Sequence, residues 1–258
     1  MSELSKQNVY LYNGTSNLVE TLETSPDKSE ETFLIFTHVF YSDFLKLVDN
    51  PEIPKHSIVE YNKIEHTLLM RSMLSDTHEA AAAAFKIIIV QKMLSMAVLD
   101  DLKVLGSAPV KLGNLITRQP DGSWGPITKQ DISVVLEVGF SQSTRDLEIV
   151  AEDYLCNSPV EGVVTVDIDK AEPRITVEYL TFYQPSLSLR PRLSSTPNRQ
   201  KTVVTLAAGN TINVSGTLTI PFITFLGRNP NPPEEDIIIQ SNDLEMLAKR
   251  VWKQQGFM

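Results

Sequence analysis

RQPDGSWGPITKQDISVVLEVGFSQS, residues 118–143, is the stretch on which the reading of this chain turns. Its second half, ISVVLEVGF at 132–140, is a nearly continuous β-branched, apolar run. Such a run reads as a central strand buried on both faces of a sheet. One charge interrupts it, Glu137. A carboxylate in a buried strand is costly unless it is paired or bound to a metal. Ahead of the strand, Pro120-Asp121 opens the turn DGSWGP. If the strand after Pro120 lies beside 132–140, Asp121 approaches Glu137 across the sheet.

Upstream, SDTHE at 75–79 offers Asp76 as a helix N-cap, with Glu79 three residues on. The nearly all-apolar AAAAAFKIIIVQKMLSMAVLDDL that follows reads as a central, buried helix ending around Lys103 to Gly106. Downstream, Ser143 caps a second helix, with Asp146 at its third position. Leu147, Val150, Ala151, Tyr154 and Leu155 fall on one face of it. GVVTVDID (162–169) is another strand, and RITVEYLTFY (174–183) alternates as a half-buried one. TVVTLAAG and TINVSGTLTIPFITFLG add β structure, and NPNPPEED is a stiff loop. NDLEMLAKRVWKQQ closes the chain as a helix with Leu244, Leu247, Ala248, Val251 and Trp252 on one stripe.

Toward the N-terminus, residues 1–31 read as a polar arm, and FLIFTHVFYSDF (33–44) as a strand or short helix. PEIPKHS at 51–57 is a turn by its prolines. The order of elements never settles into regular βαβ alternation. It predicts an α+β fold: a mixed β-sheet core flanked by helices, with extra C-terminal strands and a terminal helix, in a single domain over 32–258.

The composition is that of an ordinary globular protein: 258 residues, 42% hydrophobic and 21% charged. No apolar run reaches the ~18 residues of a membrane span, so no membrane partner is expected. MSELSKQNVYLYNG lacks the features of a secretion signal. The single cysteine, Cys156, excludes an intrachain disulfide and a cysteine zinc cluster. An intracellular protein, cytoplasmic or nuclear, is expected. The net charge of −9 weighs against strong sequence-independent binding to nucleic acid, which needs Lys and Arg to neutralise phosphates. A local basic segment, SLRPRLSSTPNRQK, does gather Arg190, Arg192, Arg199 and Lys201 without an acid. It reads either as one wall of a basic groove or as a solvated loop.

Two converging carboxylates suit Mg²⁺, a hard cation that takes oxygen ligands and keeps several waters. Each residue also has a plainer reading. Asp121 is a turn residue, Glu137 lies at an edge or pairs with an arginine, and Glu79 is a cap. His38, His56, His66 and His78 show no metal-ligand spacing, and His78 reads as a helix-start residue. No GxSxG, Walker loop or GxGxxG occurs.

The blocks HEAAAAAF (78–85), PDGSW (120–124), VVLEVGFSQST (134–144), DLEIVAEDYL (146–155) and GVVTVDID (162–169) come in a fixed order. In that order they resemble the PD-(D/E)XK nuclease superfamily, in its bacterial restriction-endonuclease-like branch and its fungal relatives. The resemblance covers about residues 65–180 and implies a restriction-endonuclease-like fold. By position it implies that Asp121 and Glu137 are metal ligands for Mg²⁺ or Mn²⁺, joined by the carbonyl of Val138, with Glu79 as an auxiliary acid. The sequence departs from the family at the lysine, whose place is held by Gly139. In the bacterial branch a lysine can come from the following helix, but the equivalent turn here holds Val150. Gln142 remains as a residue able to orient water, and Arg145 and Lys129 as substrate-binding cations.

Three functions follow from this reading. The first is a Mg²⁺-dependent nuclease acting on DNA, with room for a homodimer. The second is a catalytically inactive nuclease-fold protein that binds a partner. The third is a nuclease fold repurposed for a small molecule, with Trp124, Phe140, Tyr179, Phe182 and Tyr183 lining a pocket. Ordinary core packing is the plainer reading of those aromatics.

Overall fold

The structure is a computed structural model in which residues 8–24, 32–54, 57–72, 75–140, 143–182 and 197–258 are described. In chain order the elements begin β1 (Val9–Leu11), α1 (Thr15–Glu23), β2 (Phe33–Thr37), α2 (Tyr41–Val48), β3 (Ile58–Asn62) and β4 (Thr67–Arg71). Next come α3 (Asp76–Ser95), β5 (Leu102–Val104), β6 (Val110–Leu112), β7 (Ile116–Arg118), β8 (Gly122–Pro126), β9 (Val134–Gly139) and α4 (Thr144–Asn157). The chain continues through β10 (Gly162–Ile168), β11 (Arg174–Thr181), β12 (Asn198–Ala207), β13 (Thr211–Val214) and β14 (Leu218–Ile220). It ends with α5 (Phe222–Leu226), β15 (Ile237–Ile239) and α6 (Ser241–Gln255). The chain thus forms the expected α+β class, with a mixed sheet flanked by helices, further C-terminal strands and a terminal helix. Among the described residues no helix is long and apolar enough to cross a membrane.

The elements gather into two compact units: residues 1–75 with 107–120, and residues 76–106 with 121–258. This differs from the polar arm over 1–31 and the single domain over 32–258 expected from sequence. The first unit holds a six-stranded sheet in the order β1-β2-β4-β3-β7-β6. β1 runs parallel to β2, which requires a crossover, and α1 supplies it. Leu18 of α1 is fully buried with Leu34, Phe36, Tyr61 and Met70, so part of the supposed arm belongs to this core. One apolar residue per helical turn was too weak a signal against a polar background. FLIFTHVFYSDF divides into both alternatives, β2 followed by α2.

The second unit is built on a seven-stranded sheet, β13-β12-β11-β10-β9-β8-β5. β9 and β10 are parallel and joined by α4, while the other neighbours are antiparallel. Strand alternation divides the sheet into two unlike faces. Val134, Leu136, Val138, Val164, Val166, Ile175, Val177 and Tyr179 point into one apolar cluster with α3 and α6. Glu137, Thr165, Asp167, Thr176 and Glu178 take the alternate positions, on the side where α4 packs against β9 and β10. β9 is buried along its whole length, as its composition required.

α3 is more one-sided than its sequence suggests. His78, Ala81, Ala82, Phe85, Ile88 and Ile89 are buried, but Ile87 is 36% and Leu94 57% exposed. PFITFLG, expected as strand, forms the short helix α5 after Pro221. It closes on Gly227, whose φ of 66° is a left-handed conformation natural to glycine. α4 is capped as expected, with the Ser143 hydroxyl accepting from the Asp146 amide. α6 buries the five stripe residues read from sequence.

Candidate active site

Asp121 stands immediately before β8. β8 pairs antiparallel with β9, with Gly122 opposite Leu136 at the end of the ladder. The Asp121 amide donates to the Leu136 carbonyl at 3.0 Å, and its Oδ2 accepts from the Val138 amide at 2.8 Å. The Asp121 side chain therefore extends the ladder where the strand itself has ended. His78, in the first turn of α3, brings Nε2 to 3.1 Å from the same oxygen. His78 is 1% exposed and Asp121 is half-buried, so this contact is partly shielded from water.

Glu137 is buried at 8% exposure on the α4 side of β9. The Tyr154 hydroxyl donates to its Oε1 at 2.7 Å from the last turns of α4. Both carboxylates thus have one oxygen engaged by a fixed donor. Among the described residues no group of three or more His, Cys, Asp or Glu is arranged to hold a metal. The site holds two carboxylates and a histidine bonded to one of them.

The other residues singled out from sequence fall elsewhere. Glu79 is exposed, and its neighbour His78 is the α3 residue that meets Asp121. Arg145 is exposed in the first turn of α4. Lys129 lies beyond Pro126, at the far end of β8 from Asp121, and pairs with Glu161 at 3.7 Å. At the rise of a strand this separates it from Asp121 by roughly 17 Å or more, which removes it from the site. Gln142, with Tyr183, Arg190 and Arg192, lies outside the described residues. Arg199 pairs with Glu148 and with Glu178, and Lys201 pairs with Glu178, so these two cations already face acids.

Gly139, in the position of the missing lysine, is not an open gap. A Cβ there would come within 3.1 Å of Leu147 Cδ2 on α4. That is tighter than ordinary contact, so the space beside β9 has been taken by the helix. A cation that the sequence reading did not consider lies on the other face. Lys86 lays its stem over Gly122, its Cε 3.1 Å from where a Cβ would be. It pairs with no carboxylate among the described residues. Trp124 and Tyr179 are core residues, 0% and 1% exposed, and Trp124 meets Phe225 edge-on at 6.0 Å. Burial pushes the Tyr179 phenol up to about 12, so it stays protonated.

No model of a known protein family matches the sequence, and no curated protein matches it. A solved structure, a "putative nuclease belonging to DUF820" from Anabaena variabilis ATCC 29413, has a similar backbone path. The likeness covers 81% of this chain and 97% of that one, at 14% identity and a TM-score of 0.42.

Proposed function

We propose that this protein is a nuclease-type enzyme that acts on phosphodiester bonds in DNA, with Asp121 and Glu137 as ligands of Mg²⁺. The observation that supports this reading is that Asp121, just before β8, is held to the Leu136 carbonyl and the Val138 amide, the two β9 neighbours of Glu137, while His78 and Tyr154 donate to the two carboxylates. Mg²⁺ usually keeps several waters and takes only one or two carboxylates plus substrate phosphates. A two-carboxylate donor set of hard oxygens fits that habit. The ion would lower the pKa of a bound water and offset charge developing on the phosphate. The chain's own residues do the positioning. His78 and the Val138 amide fix Asp121, and Tyr154 fixes Glu137.

A second reading is favoured by Gly139 and Leu147. The lysine is absent and its space is filled, which supports a nuclease-fold protein that binds nucleic acid or a partner without turnover.

Titration calorimetry with Mg²⁺ and Mn²⁺ on the wild type and on Asp121→Ala/Glu137→Ala tests the metal site. Binding that disappears in the double variant is the expected result, and a wild type that binds neither metal, alone or with a DNA oligonucleotide present, defeats it. Cleavage of single- and double-stranded DNA that is lost in Asp121→Ala then selects the first reading. Metal binding without cleavage selects the second.

A further inference from the structure

The first unit leaves a large apolar surface open to solvent at one end of its six-stranded sheet. Phe40 is 56% exposed, Tyr41 38%, Leu45 47%, Ile64 65% and Leu115 47%. The strand order brings together the three connections that carry them. Phe40, Tyr41 and Leu45 follow β2 and begin α2, Ile64 lies in the β3–β4 turn, and Leu115 lies in the β6–β7 turn. Direct contacts make one patch of them. The Val39 amide donates to the His66 carbonyl at 2.9 Å, and the Lys63 amide to the Leu115 carbonyl at 2.8 Å. The Phe40 ring lies 5.0 Å from the His66 ring, and the Lys63 ammonium sits 4.9 Å from the centre of the Tyr41 ring. Leu45 is one helical turn beyond Tyr41, on the same side of α2. Nothing in the proposed nuclease reading uses this end of the sheet.

The size and composition of the patch match a protein interface. At about 200 Å² per large side chain, the five leave roughly 500 Å² of apolar surface in water. The largest patch on a monomer is about 300–600 Å² and is often functional. A standard interface takes about 800 Å² from each partner, and a homodimer interface is about 65% apolar. The five side chains with a polar rim of roughly 300 Å² come close to both figures. Phe40 and Tyr41 are also of the aromatic types enriched in interface cores.

The rim separates a second copy of this chain from other partners. Asp43, Lys46, Lys63 and Glu65 stand around the apolar residues, two acids and two cations. Their charges cancel, so the whole acidic excess of −9 lies outside the patch. A rim without net sign has nothing to steer a nucleic acid or a strongly charged protein. In a two-fold interface, residue i meets j wherever j meets i, so one patch must carry both signs. This rim carries both in equal number.

We infer that this end of the six-stranded sheet is a homodimer interface, where Phe40, Tyr41, Leu45, Ile64 and Leu115 pack against the same residues of a second copy across a two-fold axis.

Sedimentation velocity with light scattering on the full chain tests this. The monomer is 28.8 kDa. The wild type is expected at twice that mass at about 50 µM, since interfaces of this size bind in the micromolar range or tighter. Ile64→Glu and Leu115→Glu each place a charge in the interface and should weaken the dimer about 30-fold or more, the size of a hot-spot loss. Both residues are exposed in turns, and circular dichroism of the dissociated variants should show a folded monomer. Leu94→Glu is the control. Leu94 is also exposed, but it lies on α3 in the other unit, and this variant should stay dimeric. A wild type that is monomeric at that concentration overturns the inference, even if the patch then takes up another protein. A dimer that survives both patch substitutions, or that Leu94→Glu dissociates, overturns it as well. If both patch variants fail to fold, lysine cross-linking of mixed light- and heavy-isotope wild type decides the matter. A link between copies from Lys63 to Lys63 or Lys46 supports the interface, and a cross-linked dimer without one rejects it.

Discussion

The two faces of the seven-stranded sheet use the same strands for opposite ends. Toward α3 and α6, β9, β10 and β11 present valines, isoleucines, a leucine and Tyr179, all buried in one cluster. Toward α4 the alternate residues include Glu137, Thr165, Asp167, Thr176 and Glu178, of which four are also buried. Burial by itself therefore does not separate them. The first face gains stability from area removed from water. The second sets buried polar groups against specific partners, and its stability depends on those partners staying in place. On the proposed nuclease reading, chemistry belongs to the second face, and the first holds it still.

The largest effect should come from damage to the apolar face. Phe85 is fully buried in the α3 cluster. Phe85→Ala should cost about 3–5 kcal/mol by lost transfer energy and the cavity left behind. Urea denaturation followed by circular dichroism would measure it. A loss under 1 kcal/mol would mean that the α3 face is not the stabilising one, and the contrast between the faces would collapse.

Next in size is the anchor of Glu137. Tyr154→Phe keeps the ring and removes only the hydroxyl that donates to Oε1 at 2.7 Å. A buried carboxylate left short of a donor should cost about 1–3 kcal/mol. Glu137→Leu/Tyr154→Phe should recover much of that loss, because no charge then remains to satisfy. If Tyr154→Phe is silent in denaturation and in the metal titration alike, the hydrogen bond does not position Glu137.

What was legible in the sequence divides along the same faces. The apolar face was plain: the β-branched run at 132–140, the capped α4 and the α6 stripe each obey one period and one physical rule. The unusual charge in that run, Glu137, was also legible, since a lone acid in a buried strand calls for an explanation. Its partner was not, because Tyr154 reads as one more apolar residue of the α4 stripe. His78 looked like a helix-start residue, and nothing local distinguishes it from Glu79. Only the angle at which α3 meets β8 turns His78 inward and leaves Glu79 in solvent. Thr165, Asp167 and Glu178 were hidden for another reason. Each lies in a different position of an ordinary alternating strand, and only the parallel β9–β10 and antiparallel β10–β11 registers align them. The division of the chain into two units was missed because residues 107–120 return to the first unit, a pairing that no local pattern announces.

A test of similar size asks whether the lysine position can be reopened. Gly139→Lys puts a Cβ within 3.1 Å of Leu147 Cδ2 and should cost about 1–3 kcal/mol by overpacking. Leu147→Ala also destabilises when made singly, since Leu147 is buried. The two together should lose less than the sum, with a coupling of about 1 kcal/mol or more in a double-mutant cycle. Additive losses would mean that Leu147 does not occupy the lysine's space. Nuclease activity gained in the double variant but in neither single one would show that the closure, more than the missing charge, had stopped turnover.

The smallest effects concern pH, where an acid of the α4 face and an acid of an exposed loop should behave in opposite ways. Glu234 is held down to about 2, first by the Arg228 guanidinium and then by the Asn231 amide. Its folded pKa lies below the ordinary 4.5, so its contribution is fully present above 4.5 and is lost as pH falls through about 2. Asp167 is raised above the ordinary 3.8, chiefly by burial. Folding favours its protonated form, so it helps most below pH 3.8 and weakens the fold as pH rises through its folded pKa. Melting curves from pH 2 to 7 separate the two. Glu234→Gln should flatten the acid side between about pH 2 and 4.5, and the change should be slight because the Arg228 pair is open to solvent. Asp167→Asn should leave the acid side alone and raise the melting temperature at pH 7, where the wild type carries an uncompensated charge under α4. A fall at pH 7 in Asp167→Asn would mean that the ionised carboxylate already has the partners it needs, and the polar face would then be as self-sufficient as the apolar one.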